Sequence, residues 1–233
     1  MKKLLLLLAL LTTSMMAFSQ ENTKKLVNIS VDGSFDRNGI SATGEYVFNY
    51  NRKESLILAN QLKEFNISSN LIAFNGKENG DVTRVITNNN TDADVLVSIS
   101  FGSLAKEELK YWDYEGKKLL YSDDQSGYSI FINVNKGNVK PSVMCAREIS
   151  KVLQQVGFEP NWKNNKKYKL IFEDLPIYHT ENSILLNKIN NPGMIIEPGN
   201  LSNRKESQRF DGENVNTAFA KAVSIGIKNC FGD

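Results

Sequence analysis

The sequence predicts an α/β fold, a single open and mostly parallel sheet with helices on both faces. Three observations predict it. Short β-branched or apolar runs alternate along the chain with longer stretches of helical periodicity. The composition is that of an ordinary globular protein, with 41% hydrophobic and 23% charged residues. The 233 residues suit one medium domain, and neither a repeat nor a linker-like break interrupts them.

The first segment, residues 1–19, stands apart from this pattern. Lys2 and Lys3 form a positive start, and Leu4 to Leu11 is an unbroken apolar run. Ala17-Phe18-Ser19 then places small residues three before and one before a cut at Gln20. This is the pattern of a secretory signal peptide. The run is too short to span a bilayer core of about 30 Å as a mature helix. The expectation is an exported protein, periplasmic or extracellular, that is not an integral membrane protein, with one domain over residues 20–233. No cysteine near the cut offers a lipid attachment point.

The elements of that domain follow in order. Leu26 to Val31 reads as a strand broken by Asp32-Gly33-Ser34. From about Asn51 to Phe65, Leu58, Leu62 and Phe65 recur at helical spacing. Leu71 to Phe74 is a short apolar run, and Asp81 to Asn88 reads as a polar helix. Val95 to Ile99 is a β-branched strand between an Asp-rich turn and Gly102. Residues 104–126 break the rhythm, and within them 111–121 reads as an inserted hairpin turning near Glu115-Gly116. Its Tyr and Trp rings either cover the hairpin's own buried face or form a stacking surface for sugars. Ser129 to Val134 is another strand. Pro141 suits the first turn of the next helix. There Cys145, Ile149, Val152, Leu153 and Val156 make one stripe, and Gly157 is a natural C-cap. Gly193 to Glu197 is a last apolar strand, and a helix carrying Val215, Ala218, Phe219, Ala222, Gly226 and Cys230 on one stripe closes the chain.

Charge and composition exclude several functions. The 28 basic and 26 acidic residues become equal in number once Lys2 and Lys3 are removed. A neutral chain of this kind has no nucleic-acid partner and no patch for anionic membranes. One His and two Cys make a standard catalytic zinc site hard to build, because such sites take two or three His or use Cys in their place. Export makes a Cys145–Cys230 disulfide chemically possible, provided their Cα atoms come within about 7 Å.

Ligands of open α/β sheets bind beyond the carboxyl ends of the strands. Asp32-Gly33-Ser34, Ser98-Ile99-Ser100 and Glu197-Pro198-Gly199 lie at such ends. Glu197 leaves an apolar strand directly into Pro-Gly, so partial desolvation should raise its pKa toward a useful general-base value.

The same segments carry a family resemblance. Asn191-Pro192-Gly193-Met194-Ile195-Ile196-Glu197-Pro198-Gly199-Asn200-Leu201-Ser202-Asn203 resembles the C-terminal motif of the zinc-dependent N-acetylmuramoyl-L-alanine amidases of amidase-3 type. In that motif an apolar strand ends in the catalytic Glu and a Gly-Phe-Leu-Ser-Asn turn follows; here Asn200 replaces Phe. Ser183 to Leu186 resembles the strand just upstream, and Asp92 to Ile99 resembles the Ala-Asp-apolar-apolar-Val-Ser-Ile-His segment. Arg84 resembles the Arg of the preceding helix. The resemblance spans about residues 25–230 and implies an amidase-3-like fold with Glu197 as the retained catalytic carboxylate.

It also implies where the zinc ligands would stand, and there the chain departs. Ser34 occupies the position of the first His, Asn51 that of the Glu, and Ser100 that of the second His. Neutral hydroxyls and an amide are poor zinc donors. The implied site is therefore a degenerate cleft of Ser34, Asn51 and Ser100 beside Glu197, with no zinc and no other cofactor expected. Glu54 lies one turn beyond Asn51 and could face the same way. His179, the only imidazole, could enter from a loop as a substitute ligand or base. A Ser-His-Glu hydrolase from Ser34 or Ser100, His179 and Glu197 lacks the Gly-x-Ser-x-Gly elbow.

Three functions follow. The first is an exported amidase-like protein that has lost hydrolysis and binds peptidoglycan, a muropeptide or a protein partner. The second is an active amidase cleaving the muramoyl–L-alanine amide with a non-standard metal site, such as Asp32, Glu54 and His179. The third is an envelope interaction protein with no glycan contact.

Overall fold

A computed structural model describes residues 24–33, 39–76, 80–137 and 139–232. The signal segment predicted over 1–19 and the candidate Ser34 lie outside the described residues.

The strands are β1 (Leu26–Val31), β2 (Ser68–Ile72), β3 (Val95–Ile99), β4 (Lys110–Tyr114), β5 (Lys117–Tyr121), β6 (Ser129–Ile132), β7 (Lys169–Leu170), β8 (Ile177–His179) and β9 (Gly193–Glu197). The helices are α1 (Val47–Lys63), α2 (Asp81–Asn89), α3 (Lys140–Gln155), α4 (Ile184–Lys188), α5 (Arg204–Asp211) and α6 (Glu213–Cys230). Seven strands form one sheet in the order β2-β1-β3-β9-β6-β8-β7, and β4 with β5 forms the separate hairpin. Strands β2, β1, β3 and β9 run parallel. β6 meets β9 antiparallel, β8 follows β6 in parallel, and the short β7 closes the edge antiparallel. The mostly parallel sheet expected from the alternation is therefore present, with antiparallel pairings at β9–β6 and at the β8–β7 edge.

β3 is buried along its whole length, as a parallel strand covered on both faces must be. Val27 and Ile29 of β1, with Val95, Val97 and Ile99 of β3, pack against apolar residues of α1, α3 and α6. On the other face Leu96 meets Ile72, Leu185 and Leu186 of α4 and Ile189 just after it, with Val85 of α2 beside them. Helices α3 and α6 approach closely, and a Cβ on Gly226 would collide with the Ile149 backbone. Cys145 and Cys230 join these two helices in a disulfide with Cα atoms 4.8 Å apart. The bond that composition left open is thus supplied by a glycine-permitted close approach.

Three local expectations need correction. The Ser183–Leu186 segment is not a strand: Ser183 Oγ accepts the Leu186 N–H at 3.1 Å and starts helix α4. Serine at an N-cap competes effectively with extended pairing. His179, expected on a loop, ends strand β8. The first helix begins at Val47, earlier than expected, because Val47 and Tyr50 bury against Phe101, Leu201 and Phe210. The hairpin turns where expected, with Glu115 and Gly116 both at positive φ of 51° and 74°, the geometry of the two-residue turn that matches strand twist. Among the described residues no helix is long and apolar enough to cross a membrane.

Candidate functional site

Strand register brings the three predicted strand ends together. Ser30 aligns with Ser98 across β1 and β3, and Ile99 aligns with Ile196 across β3 and β9. Asp32, Ser100 and Glu197 therefore leave the sheet side by side at one edge. The Asp32 N–H still reaches Ile99 O at 3.1 Å, and the Ser100 N–H reaches Ile196 O at 3.0 Å.

Asp32 is the hub of this edge. Its carboxylate accepts from Arg84 Nη1 at 2.5 Å and from Ser100 Oγ at 2.7 Å. Arg84 is 3% exposed and divides its guanidinium between Asp32 and Asp81, the latter at 2.8 Å. A buried guanidinium needs such partners, because an unpaired charge there would cost several kcal/mol. Asn51 is fully buried. Its Nδ2 donates to the Asp32 carbonyl at 3.1 Å, and its Oδ1 accepts the Phe101 N–H at 2.7 Å. The amide thus ties α1 to the ends of both β1 and β3.

Glu197 stands at the end of β9, aligned with Ser129 of β6. Asn164, from a short 3-10 turn over Trp162–Lys166, donates to Ser129 Oγ at 2.9 Å and to Glu197 Oε2 at 3.4 Å. Burial pushes the Glu197 carboxyl from 4.5 up to about 7, with Asp32 adding repulsion and Asn164 and Lys167 opposing the rise. Gly102 makes room for the group. A Cβ there would lie 3.4 Å from Glu197 Oε2 and 3.2 Å from Asn200 Nδ2. Backbone bonds from Gly102 N to Gly199 O and from Leu201 N to Gly102 O hold the two exit turns together.

The structure thus unites Asn51, Ser100 and Glu197 around Asp32. It does not bring Glu54 or His179 to them. Glu54 is 1% exposed, and neither of its oxygens has a hydrogen-bond partner; burial holds its pKa well above the ordinary value. His179 sits at the opposite edge of the sheet, because β8 runs parallel to β6 and β6 runs against β9. Its Nδ1 accepts the Val134 N–H at 3.2 Å, and its Nε2 lies 3.2 Å from Glu181 Oε1. A site built from Asp32, Glu54 and His179 is therefore not assembled, nor is the Ser100–His179–Glu197 arrangement. Among the described residues no group of three or more His, Cys, Asp or Glu side chains is placed to hold a metal ion.

Sequence reasoning missed Asn164 and Lys167 as neighbours of Glu197. They lie in the polar run Asn161 to Lys167, whose composition carries no signal for a site. The hairpin rings divide. Trp112 Nε1 donates to Ala42 O at 3.0 Å, and Arg204 lies 4.0 Å over the Tyr121 ring, so these two cover the hairpin's inner face. Tyr111 points outward, 63% exposed.

Comparison with known proteins bears on the family and the fold. The family model Amidase_3, N-acetylmuramoyl-L-alanine amidase, matches residues 32–229. No protein of curated function matches the sequence significantly. Among solved structures, an N-acetylmuramoyl-L-alanine amidase from Clostridium difficile 630 superposes with a TM-score of 0.69 at 20% identity, covering 90% of this chain and 98% of that one. The apo amidase Ami1 from Mycobacterium abscessus gives a TM-score of 0.70 at 15% identity over 89% of this chain and 98% of its own. The CwlD amidase from Clostridioides difficile, solved in complex with the GerS lipoprotein, gives 0.64 at 17% identity over 90% and 99%. At these identities the superpositions speak for a shared fold.

Proposed function

Since the chain belongs to the N-acetylmuramoyl-L-alanine amidase family Amidase_3, we propose that it is an exported, cell-wall amidase-like protein whose cleft recognises peptidoglycan fragments without zinc and without cleaving the amide. The observation that carries this reading is the hydrogen bonding of Asn51 and Ser100. Asn51 is fully buried, with its oxygen on the Phe101 N–H, and the Ser100 hydroxyl is turned onto Asp32. Zinc requires imidazole or deprotonated donors, and these two side chains do not fit it. The positive charge beside Asp32 is instead the guanidinium of Arg84.

Recognition needs only shape and hydrogen bonds. Ser100 keeps lone pairs for a ligand N–H or O–H, and Glu197 can accept or, when protonated, donate. Export follows from the signal pattern of residues 1–19. A protein partner is the alternative occupant of the same cleft.

One observation favours a second reading, an active amidase. Glu197 is poised near neutrality, at about 7, where a general base is most useful. General-base help alone supplies about 10²–10⁴-fold, against enzymatic enhancements of roughly 10⁶ or more, so this reading requires a metal site that the described residues do not supply.

One experiment separates the two. Purified protein is analysed for zinc, then incubated with sacculi with and without added zinc. Sedimentation with sacculi, no stoichiometric zinc and no released stem peptide are expected. Peptide release that disappears in Glu197→Ala would establish a working amidase, and failure to sediment would remove peptidoglycan as the ligand.

A further inference from the structure

The near-balance of 28 basic and 26 acidic residues conceals one local excess. Between Glu159 and Glu173 the chain carries Lys163, Lys166, Lys167 and Lys169 and no acidic residue. All four lysines are exposed, and among the described residues none of them forms an ion pair. Lysine on a sheet edge guards against unwanted strand pairing, which accounts for Lys169 on the edge strand β7. It does not account for Lys163, Lys166 and Lys167, which precede the strand.

The segment is held with its anchors inside and its cations outside. The Asn161 carbonyl accepts the Tyr178 O–H at 2.8 Å. Asn164 reaches inward to Ser129 and Glu197, and the Tyr168 ring packs edge-on against Phe131, 4.9 Å between centres. In the 3-10 turn Trp162–Lys166, residues three apart eclipse one another, so Lys163 and Lys166 stand in one column. Beside them Trp162 is 43% exposed, and Lys167 Nζ lies 5.4 Å from the centre of the Tyr168 ring. With the backbone tied at three points, the four ammonium groups and the indole share one short stretch of surface.

We propose that this segment is a docking surface for anionic phospholipid headgroups, by which the folded protein lies against a membrane surface. Charge complementarity selects an anionic partner, because the lysines have no carboxylates of their own to satisfy. Each lysine near an anionic lipid surface is worth about a five-fold gain in partitioning, so the four supply roughly 600-fold. The exposed indole favours lipid over a soluble polyanion. Tryptophan settles at the headgroup level of a bilayer, where its ring meets apolar chains and its N–H stays wet. Because Asn164 ties the same turn to Glu197, docking sets the Glu197 edge near the membrane surface. The inference goes beyond the peptidoglycan reading and does not depend on it.

The test mixes purified protein with three probes: vesicles of phosphatidylcholine, vesicles of equimolar phosphatidylcholine and phosphatidylglycerol, and soluble polyphosphate. Vesicle binding is read by co-sedimentation, polyphosphate binding by titration, and the indole environment by tryptophan emission. The protein is expected to sediment with the phosphatidylglycerol vesicles and not with phosphatidylcholine alone. Binding should disappear as salt shortens the Debye length from about 10 Å at 0.1 M to about 3 Å at 1 M. The double variant Lys163→Gln/Lys166→Gln should bind about 25-fold more weakly, by the five-fold step per lysine, with an unchanged melting temperature because both side chains are exposed. Emission should shift to the blue on the anionic vesicles, and Trp162→Phe, which leaves Trp112 as the only indole, should abolish the shift. Equal sedimentation with neutral vesicles, or unchanged affinity in the double variant, would overturn the docking surface. Binding to polyphosphate with no vesicle binding and no emission shift would overturn it too, and would assign the lysines to a soluble polyanion.

Discussion

Asn51 Oδ1 accepts the backbone N–H of Phe101 at 2.7 Å, and through this bond helix α1 holds the exit of strand β3. The other end of the same amide reaches the Asp32 carbonyl at 3.1 Å. One neutral side chain thus closes two exits that would otherwise leave a buried donor and acceptor unpaired. Asn51→Ala should lower stability by about 1–3 kcal/mol per group left unsatisfied. Denaturant unfolding should show a lower midpoint with an unchanged m-value; an unaltered midpoint would mean that water replaces the amide at no cost.

Glu197 should make stability pH-dependent. Its carboxyl is raised to about 7 in the folded protein against an ordinary 4.5, so the folded state holds more protons between those values. Its contribution is complete below about 4.5 and is lost as pH rises through about 7. Glu197→Gln should flatten that part of the stability curve and raise stability above pH 7. A curve identical to wild type between pH 5 and 8 would refute the shift.

Glu54 acts in the same direction from a deeper position. Buried at 1% exposure with both oxygens unpartnered, it carries a desolvation cost and gains no bond. Glu54→Met keeps the length and removes the polar group. It should stabilise the protein by about 1–3 kcal/mol at neutral pH, read as a higher melting temperature.

The Cys145–Cys230 bond spans 85 residues of sequence. In the chain-entropy model a loop of that length is worth about 4–5 kcal/mol. Cys145→Ser/Cys230→Ser, or reduction of the native protein, should lower the melting temperature markedly, and the double variant should then be insensitive to reductant. A variant equal in stability to wild type would show that the α3–α6 packing around Gly226 suffices alone.

Much of this was legible locally. β3 is apolar but for Ser98 and β9 is apolar up to Glu197, the stripes of α3 and α6 are buried or half-buried at helical spacing except at Val156 and Ala218, which are exposed, and Glu115-Gly116 marks a turn without tertiary help. The sequence reads Ser183–Leu186 as a strand and His179 as a loop residue, where the structure has a helix and the end of β8; runs this short are compatible with several states, and an N-cap bond or a neighbouring strand decides among them.

The sequence by itself determined the α/β class, the strand ends that carry Asp32, Ser100 and Glu197, and the residue types available there. Periodicity and strand termini are local properties, so they survive without coordinates. The tertiary structure alone decided which of those residues meet. Strand direction is set by pairing between distant segments: the reversal of β6 against β9 sends His179 to the far edge and sets Asn164 against Glu197. Burial likewise belongs to the packed whole, and it turns Glu54 from a candidate ligand into a core carboxyl and Asn51 from a cleft donor into the clasp between two strand exits.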